Sequence, residues 1–201
     1  MGIEVSSAAR EKIVVLASGA GSVAQALFDA ATMPNGPLHH QVEITEVITE
    51  NPDAGILTRA RKAGLQTSII EFRAGAERAE WERELQRAVS AADPWLVVSA
   101  GFMKILSPTF VRGFRIINTH PSLLPLFPGA HAVRDALAAG AQESGCTLHY
   151  VDEGVDTGPI IAQRKLEIRA GESEAELHDR IKDLERELIV TGILQLLEGE
   201  K

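Results

Sequence analysis

Apolar and amphipathic segments alternate along most of this chain. Residues 12–17 and 95–99 are continuous apolar runs, and residues 42–49 and 67–70 also have strand character. A strand that is apolar at successive positions is expected where both faces of a sheet are covered. Helical patterns are predicted over residues 22–31, 52–63 and 77–91. Strands that alternate with helices predict an α/β fold with a mainly parallel sheet and helices on both faces.

The last third of the chain departs from this alternation. Strand candidates at residues 145–151 and 160–168 are joined by a turn-rich loop with no helix between them. Such a connection predicts an antiparallel step near the edge of the sheet. A closing helix is predicted over residues 173–197, begun by the capping-box pair Ser173 and Glu176. The helix at 52–63 is expected to begin at Pro52, with Asn51 as its N-cap.

Composition narrows the classes of protein. The chain has 201 residues, of which 45% are hydrophobic and 24% charged, as in one soluble domain. Residues 1–10 are expected to be a flexible N-terminal extension, and residues 11–201 the domain. A net charge of −8 argues against nucleic acid as a partner, but not against a small anionic ligand. No apolar run is long enough to predict a membrane span.

The single cysteine, Cys146, cannot form an intrachain disulfide. It favours a reducing, cytoplasmic setting, and its strand-like surroundings predict a small core residue rather than a nucleophile. The histidines lack the short spacing to Cys or His that is typical of zinc sites, so no metal is predicted.

Asn118 and His120 are the first candidates for chemistry. They follow an apolar run and stand two residues apart, so on an extended chain their side chains point to the same side. An amide and an imidazole that converge at a strand end can stabilise a developing oxyanion. Taken alone, Asn-x-His-Pro is more often only a strand exit with hydrogen-bonded polar groups.

Two loops are candidate binding segments. The glycine-rich turn at residues 18–22 joins the first strand to a helix, where free backbone N–H groups favour phosphate. It is neither a dinucleotide fingerprint nor a Walker loop, and a tight turn without a ligand is the alternative. Residues 101–108 are apolar and irregular and follow a strand, which suits either a ligand crevice or a loop folded over the core.

Asp156 lies in a turn rich in carboxylates and glycine, at residues 152–159. Such turns are usually solvated. If Asp156 faces His120, its carboxylate favours the imidazolium, which is the stronger donor to an oxyanion.

Together these segments resemble the phosphoribosylglycinamide formyltransferase family over residues 12–197. The shared motifs are Ser18-Gly19-x-Gly21-Ser22, Gly101-Phe102-Met103-Lys104-Ile105-Leu106-Ser107-Pro108, Asn118-x-His120-Pro121-Ser122-Leu123-Leu124-Pro125, Pro128-Gly129-x-His131 and Asp152-x-x-Val155-Asp156-Thr157-Gly158-Pro159. The resemblance implies a single-domain, Rossmann-like formyltransferase fold with a seven-stranded, mostly parallel sheet. It also implies transfer of a formyl group from 10-formyltetrahydrofolate, without a metal, to the amine of N1-(5-phosphoribosyl)glycinamide in de novo purine (IMP) biosynthesis.

The resemblance also implies roles for individual residues. Asn118 and His120 would stabilise the oxyanion, and Asp156 would keep His120 charged. The residues implied in nucleotide binding are Gly21, Ser22, Val23, Lys182 and Glu185. Those implied in folate binding, largely through backbone groups, are Arg78, Met103, Lys104, Ile105, Leu106, Asn118, Asp152, Glu153, Gly154, Val155 and Asp156.

The chain departs from the family's usual pattern on the nucleotide side. Val23 stands where Asn is usual and Ala20 where Asn or Arg is common, and Lys182 and Arg186 replace a common Gln and His. Backbone amides can still bind phosphate without the lost side chains.

Three other functions remain open. A formyltetrahydrofolate hydrolase and a tRNA formyltransferase share this core, although each usually carries a further domain. A non-catalytic nucleotide-binding module would use the glycine turn alone. The expected partners are small molecules rather than a membrane, and the protein is expected to be a monomer or a homodimer.

Overall fold

The computed structural model describes residues 9–73, 75 and 77–199. The strands of this part of the chain are β1 (Glu11–Leu16), β2 (Val42–Thr49), β3 (Thr67–Ile69), β4 (Leu96–Ser99), β5 (Ile116–His120), β6 (Glu143–Tyr150) and β7 (Ile160–Glu167). The helices are α1 (Ser22–Thr32), α2 (Gly55–Lys62), α3 (Arg78–Ala91), α4 (Pro108–Gly113), α5 (Ala132–Ala138) and α6 (Glu174–Glu198).

The strands form one seven-stranded sheet in the order β3-β2-β1-β4-β5-β6-β7. Strands β1 to β5 pair in parallel, whereas β5 with β6 and β6 with β7 pair antiparallel. The predicted fold, including the antiparallel step near the edge, is therefore confirmed. Strands β2 and β3 lie on one side of β1, and β4 pairs with the other side of β1. This reversal of strand order leaves a crevice at the carboxyl ends of β1 and β4, where ligands bind in folds of this kind.

Helices cover the sheet on both faces, as predicted. The first core cluster holds α1, α2, α5 and α6 against one face, with Phe28, Ile56 and Ile189 among its buried side chains. The second holds α3 and α4 against the other face through Trp81 and Phe110. Burial of apolar side chains on both faces accounts for the continuous apolar runs of the central strands.

Two features of the helices differ from the prediction. The helix expected from Pro52 begins at Gly55, because the Asn51 side chain accepts the Asp53 N–H at 3.0 Å and forms a separate turn first. Helices α4 and α5 were not predicted, since six and seven residues are too few for a clear helical period. The capping box is confirmed, because the Ser173 hydroxyl accepts the Glu176 N–H at the start of α6.

The domain boundary predicted at residue 11 coincides with the start of β1. Of the predicted extension, residues 1–8 lie outside the described residues, and Arg10 pairs with Glu43 at 3.2 Å. The division of the chain at this point stays a prediction. Among the described residues, none of the helices has both the length and the apolar character needed to cross a membrane.

Candidate active site

Asn118 and His120 lie at the carboxyl end of β5, where the parallel part of the sheet meets the antiparallel part. His120 faces Asp156, the residue predicted to join it, and Asn118 contacts His149. The Asp156 carboxylate lies 3.3 Å from His120 Nδ1, and His149 lies between that carboxylate and the Asn118 amide. Asp156, which is distant in sequence, therefore converges with the strand-end pair Asn118 and His120, as the hypothesis of an oxyanion site requires.

The tautomer of His120 follows from its second ring nitrogen. His120 Nε2 lies 2.8 Å from the Phe127 carbonyl, which only accepts hydrogen bonds, so Nε2 carries a proton. Nδ1 is then the position that gains a proton when the ring becomes charged, and it is the one that faces Asp156. Phe127 has a positive φ of 52°. The buried Ser122 hydroxyl lies within hydrogen-bond distance of both Leu126 O and Phe127 O, and it therefore helps to hold the Phe127 carbonyl in place.

Asp156 is fixed by both its backbone and its side chain. Its φ is +56°, a left-handed conformation that is unusual for a residue other than glycine and is concentrated at functional sites. One carboxylate oxygen accepts the Gly129 N–H at 2.8 Å and is the same oxygen that faces His120. Gly129 of the Pro128-Gly129-x-His131 segment thus orients Asp156.

His149 is a member of this cluster that was not predicted. Its Nδ1 donates to Tyr150 O at 2.9 Å, so Nε2 of the neutral ring is left to accept from the Asn118 amide, 3.3 Å away. Burial lowers the pKa of His149, which favours that neutral form. The antiparallel register that sets His149 opposite Asn118 is the signal that would have revealed it.

The glycine turn at residues 18–22 leads from β1 into α1. Gly21 has a φ of +71° and is the N-cap of α1, and none of the described side chains caps that helix start. A Cβ at Gly21 would lie 2.2 Å from Ile56 Cδ1, so α2 packs directly against the turn. The backbone N–H groups of Ser22 and Val23 begin the helix and are suited to an anion.

Lys182 and Glu185 lie on α6, which packs against α1 on the same face of the sheet. Lys182 is partly exposed and pairs with Asp179 at 3.1 Å. Glu185 is buried, and burial raises the pKa of its carboxyl to about 7 against the opposing hydrogen bond from Thr119. The residues predicted to bind the nucleotide therefore share one face of the sheet.

Residues 101–107, called the methionine loop below, lie on the opposite face beside α3. Met103 and Ile105 are 71% and 70% exposed, which is unusual for large apolar side chains and indicates a contact surface. Arg78, predicted to contact folate, lies over the Trp81 ring and donates to Ile105 O. The sequence did not indicate that Arg78 holds this loop.

The turn predicted to join the folate site is ordered from within. Asp152 accepts the Gly154 N–H at 3.0 Å and the Thr157 hydroxyl at 2.7 Å, and Val155 is exposed. Glu153 points away to an ion pair with Arg112. The turn therefore offers backbone groups and one apolar side chain beside Asp156.

Cys146 is buried, and burial raises the pKa of its thiol to about 12, as expected for a core residue. In the part of the chain that the structure describes, groups of acidic, His and Cys side chains suited to a metal ion are absent. An open groove of about 570 Å³, lined by Arg10, His39 and Gln66 among others, lies at the amino ends of β2 and β3. It is at the opposite edge of the sheet from Asn118 and His120.

A crevice at the carboxyl ends of a parallel sheet, with an amide, an imidazole and a carboxylate beside it, defines an α/β enzyme. A protein-family model described as formyl transferase matches residues 11–193, and the chain belongs to this family.

Individual relatives agree with that assignment. The chain is 42% identical over 196 residues to phosphoribosylglycinamide formyltransferase of Mycobacterium tuberculosis (strain ATCC 25618 / H37Rv), over 96% of this chain and 88% of the relative. It is also 42% identical over 192 residues to the trifunctional purine biosynthetic protein adenosine-3 of Drosophila melanogaster, over 94% of this chain and 14% of that longer protein. The crystal structure of glycinamide ribonucleotide transformylase 1 from Symbiobacterium toebii superimposes with a TM-score of 0.88 and 35% identity, over 94% of this chain and 89% of that one.

Proposed function

We propose that the protein transfers the formyl group of 10-formyltetrahydrofolate to the amine of N1-(5-phosphoribosyl)glycinamide, as a step of de novo purine biosynthesis. The observation that carries this proposal is the convergence of Asn118, His120 and Asp156 at one strand end. The names of the relatives support formyl transfer to phosphoribosylglycinamide.

The two faces of the sheet suit the two substrates. The glycine turn, Lys182 and Glu185 lie on the face covered by α1 and α6, and they would hold the phosphoribosyl part. The methionine loop and Arg78 lie on the face covered by α3, and they would hold the pterin. The substrate amine and the formyl carbon would then meet at the end of β5, which lies between these two regions.

The chemistry proceeds by direct attack in this proposal. The amine nitrogen forms a bond to the formyl carbon, and the carbonyl oxygen gains negative charge. The Asn118 amide would donate to that oxygen, and His120 Nδ1–H, which faces Asp156 in this structure, would be shared between the carboxylate and that oxygen. As the bond from carbon to the folate nitrogen breaks, His120 Nδ1 gives its proton to the leaving nitrogen. Asp156, oriented by Gly129, stabilises the imidazolium until then, and the amine proton leaves through water.

Asn118→Ala and His120→Ala test these roles. Each is expected to lower kcat about 10²- to 10³-fold, because each removes a donor to the oxyanion. Asp156→Asn keeps a residue that tolerates a positive φ but removes the charge, so it is expected to lower kcat and alter its pH profile. Asn35→Ala and His40→Ala, on exposed residues outside the site, are the matched controls. Near-normal turnover of both Asn118→Ala and His120→Ala contradicts the assignment.

The same assay separates the alternatives. Release of tetrahydrofolate from the formyl donor is measured with and without N1-(5-phosphoribosyl)glycinamide. Release that depends on the amine supports the transferase, and release without it indicates a hydrolase. Retained nucleotide binding without any release indicates a non-catalytic binding module.

A further inference from the structure

The methionine loop is held at three points by side chains from other elements. The Met103 N–H donates to the Ser18 hydroxyl oxygen at 2.7 Å, and Arg78 donates to Ile105 O. At the end of the loop, the Ser107 N–H donates to the buried Glu82 carboxylate. A loop whose side chains are so exposed therefore has a fixed backbone.

Ser18 is itself oriented by a buried carboxylate, Glu50. The Ser18 hydroxyl has one proton, and because the Met103 N–H already points at its oxygen, that proton goes to Glu50, 2.9 Å away. Glu50 is only 7% exposed, and its second oxygen lies 3.7 Å from Lys104 Nζ in the methionine loop. One carboxylate thus contacts the loop twice, directly through Lys104 and indirectly through Ser18.

The position of Glu50 argues for a purpose beyond packing. A buried carboxylate is costly to desolvate, and an apolar residue of similar size often serves stability as well. Glu50 follows β2 and reaches the crevice between the ends of β1 and β4, where Ser18 N–H also donates to Gly101 O at 3.1 Å. The carboxylate therefore lies where the methionine loop begins.

The glycine turn has separate support. The Ile56 N–H donates to Gly19 O at 3.1 Å, and Arg59 Nε donates to Ala20 O at 2.8 Å. Both donors belong to α2. A change at Glu50 is therefore expected to disturb the methionine loop more than the turn that would bind phosphate.

We propose that Glu50 is a positioning residue for the formyl-donor site, acting through Ser18 and Lys104 to fix the backbone of the methionine loop. This inference rests on the proposed function, because it assumes that the loop binds the pterin. It distinguishes Glu50 from the catalytic residues, since Glu50 would set the affinity for the donor and not the rate of the chemical step.

Glu50→Gln isolates the charge. A glutamine cannot satisfy both contacts. If its oxygen accepts from Ser18, its NH₂ group faces the Lys104 ammonium, and in the reverse orientation the Ser18 O–H loses its acceptor. We expect the KM for 10-formyltetrahydrofolate to rise about tenfold, because the loss of one charge-assisted hydrogen bond typically has an effect of that size. The kcat and the KM for the nucleotide are expected to stay within about twofold of wild type. Glu43→Gln is the matched control, because Glu43 is also a paired carboxylate but lies within β2, at the opposite end of the strand from Glu50.

Lys104→Met tests the same link from the other side. The Lys104 side chain is partly exposed, so its replacement is expected to leave the fold intact. The proposal can therefore be tested even if Glu50→Gln does not fold. Lys104→Met is expected to raise the donor KM, and Lys104→Arg to restore it. The double variant with Glu50→Gln is expected to lose less than the product of the two single effects, because both remove the same contact.

Trp81 gives a readout that does not depend on turnover. Its ring stacks on Phe102 of the methionine loop with a centroid distance of 6.5 Å, and Trp95→Phe leaves Trp81 as the only tryptophan. Titration with tetrahydrofolate should give a higher Kd in Glu50→Gln than in its parent. An unchanged Kd and donor KM, or a fall in kcat alone, overturns the role of Glu50. A wild-type protein with no amine-dependent release of tetrahydrofolate overturns the proposed function instead.

Discussion

In the proposed mechanism, His149 would control which atom of the Asn118 amide points at the reacting carbonyl. Neutral His149 offers a lone pair at Nε2, and only the NH₂ group of Asn118 can satisfy it. The second N–H of that group is then left to face the crevice. An amide in the opposite orientation would present its oxygen to His149 and be repelled. In the proposed site, His149 would therefore decide whether Asn118 acts as a donor.

His149→Phe tests that interpretation at constant ring size. The variant removes the acceptor for Asn118, so kcat is expected to fall about tenfold while both KM values stay within about twofold. Steady-state kinetics on His149→Phe, Asn118→Ala and the double variant provide the measurement. The double variant should be no slower than Asn118→Ala, and His40→Phe, on an exposed ring, should match wild type. Independent, multiplicative losses would show that His149 acts by another route.

Glu185 makes the stability of the fold depend on pH. Burial raises the pKa of its carboxyl from 4.5 to about 7, so between these values the folded protein holds a proton that the unfolded chain has released. This contribution to stability is complete below pH 4.5 and is lost as the pH rises through about 7. Wild type should therefore lose roughly 2–3 kcal/mol between pH 5 and 8 relative to Glu185→Gln, whose side chain does not titrate.

Urea unfolding of both proteins at pH 5 and pH 8 measures that difference. Glu187→Gln, an exposed change on the same helix, should follow the wild-type pH dependence. If the wild type and Glu185→Gln show parallel pH dependence, the folded-state pKa of Glu185 is not raised.

The sequence indicated Asn118, His120 and Asp156, but it did not indicate His149 or Glu50. Asn118 and His120 follow from strand periodicity, whereas Asp156 was indicated by the family resemblance, because turns like the one it occupies are usually solvated. His149 depends on the antiparallel register between β5 and β6, which no local pattern encodes. Glu50 depends on the crossover that sets β2 beside β1, so its contact with Ser18 spans 32 positions.

At the scale of elements, the glycine turn is shaped by α2 as much as by its own sequence. Gly21 requires a positive φ, and Ile56 fills the space where a Cβ would stand. Gly19, two residues earlier, has open space around it and needs no such conformation. Of these two glycines, Gly21 is therefore required by its backbone conformation and its packing, and Gly19 by neither.

Gly21→Ala is expected to lower the free energy of unfolding by about 2 kcal/mol or more, because it combines backbone strain with a steric clash. Gly19→Ala should change it by less than about 0.5 kcal/mol. Adding Ile56→Val, which removes the clashing Cδ1, should make Gly21→Ala less costly in that background. Thermal and urea unfolding check all four proteins. Equal losses for the two alanine variants would contradict the role of α2.

Most element boundaries were predictable because burial on both faces leaves a strong apolar signal. Strand β2 and the capped start of α6 match their predictions. The predicted helix at 52–63 is present as α2, but its expected start at Pro52 was wrong, because Asn51 and Asp53 form a turn whose hydrogen bond competes with helix initiation. Helix α4 is short and is set by a local cap from Ser107 to Phe110, a signal that periodicity does not detect.

At the scale of the molecule, the sheet separates the region proposed to bind the nucleotide from the region proposed to bind the formyl donor. Helices α1 and α6 cover one face and α3 the other, and β5 carries Asn118 and His120 between them. The net charge argued against nucleic acid as a partner, but composition could not show that the two regions lie on opposite faces of the sheet. This division arises from the strand order, because the return from β3 to β4 places successive loops on opposite sides of β1.

That division predicts that the KM of each substrate depends on a different cationic side chain. Lys182→Met, on α6, is expected to raise the KM for the nucleotide about tenfold and leave the donor KM unchanged. Arg78→Met, on α3, is expected to do the reverse, because Arg78 holds the methionine loop. Each removes one charge-assisted contact, for which a tenfold effect is typical.

The double variant completes the test. Lys182 and Arg78 lie on opposite faces and share no contact in the described residues. Their effects on kcat/KM should therefore multiply to within about twofold. Bisubstrate kinetics on wild type, both single variants and the double variant give the four values needed. A nucleotide KM that rises in Arg78→Met as much as in Lys182→Met would mean that both substrates bind on one face, and the arrangement of substrates around β5 would have to be redrawn.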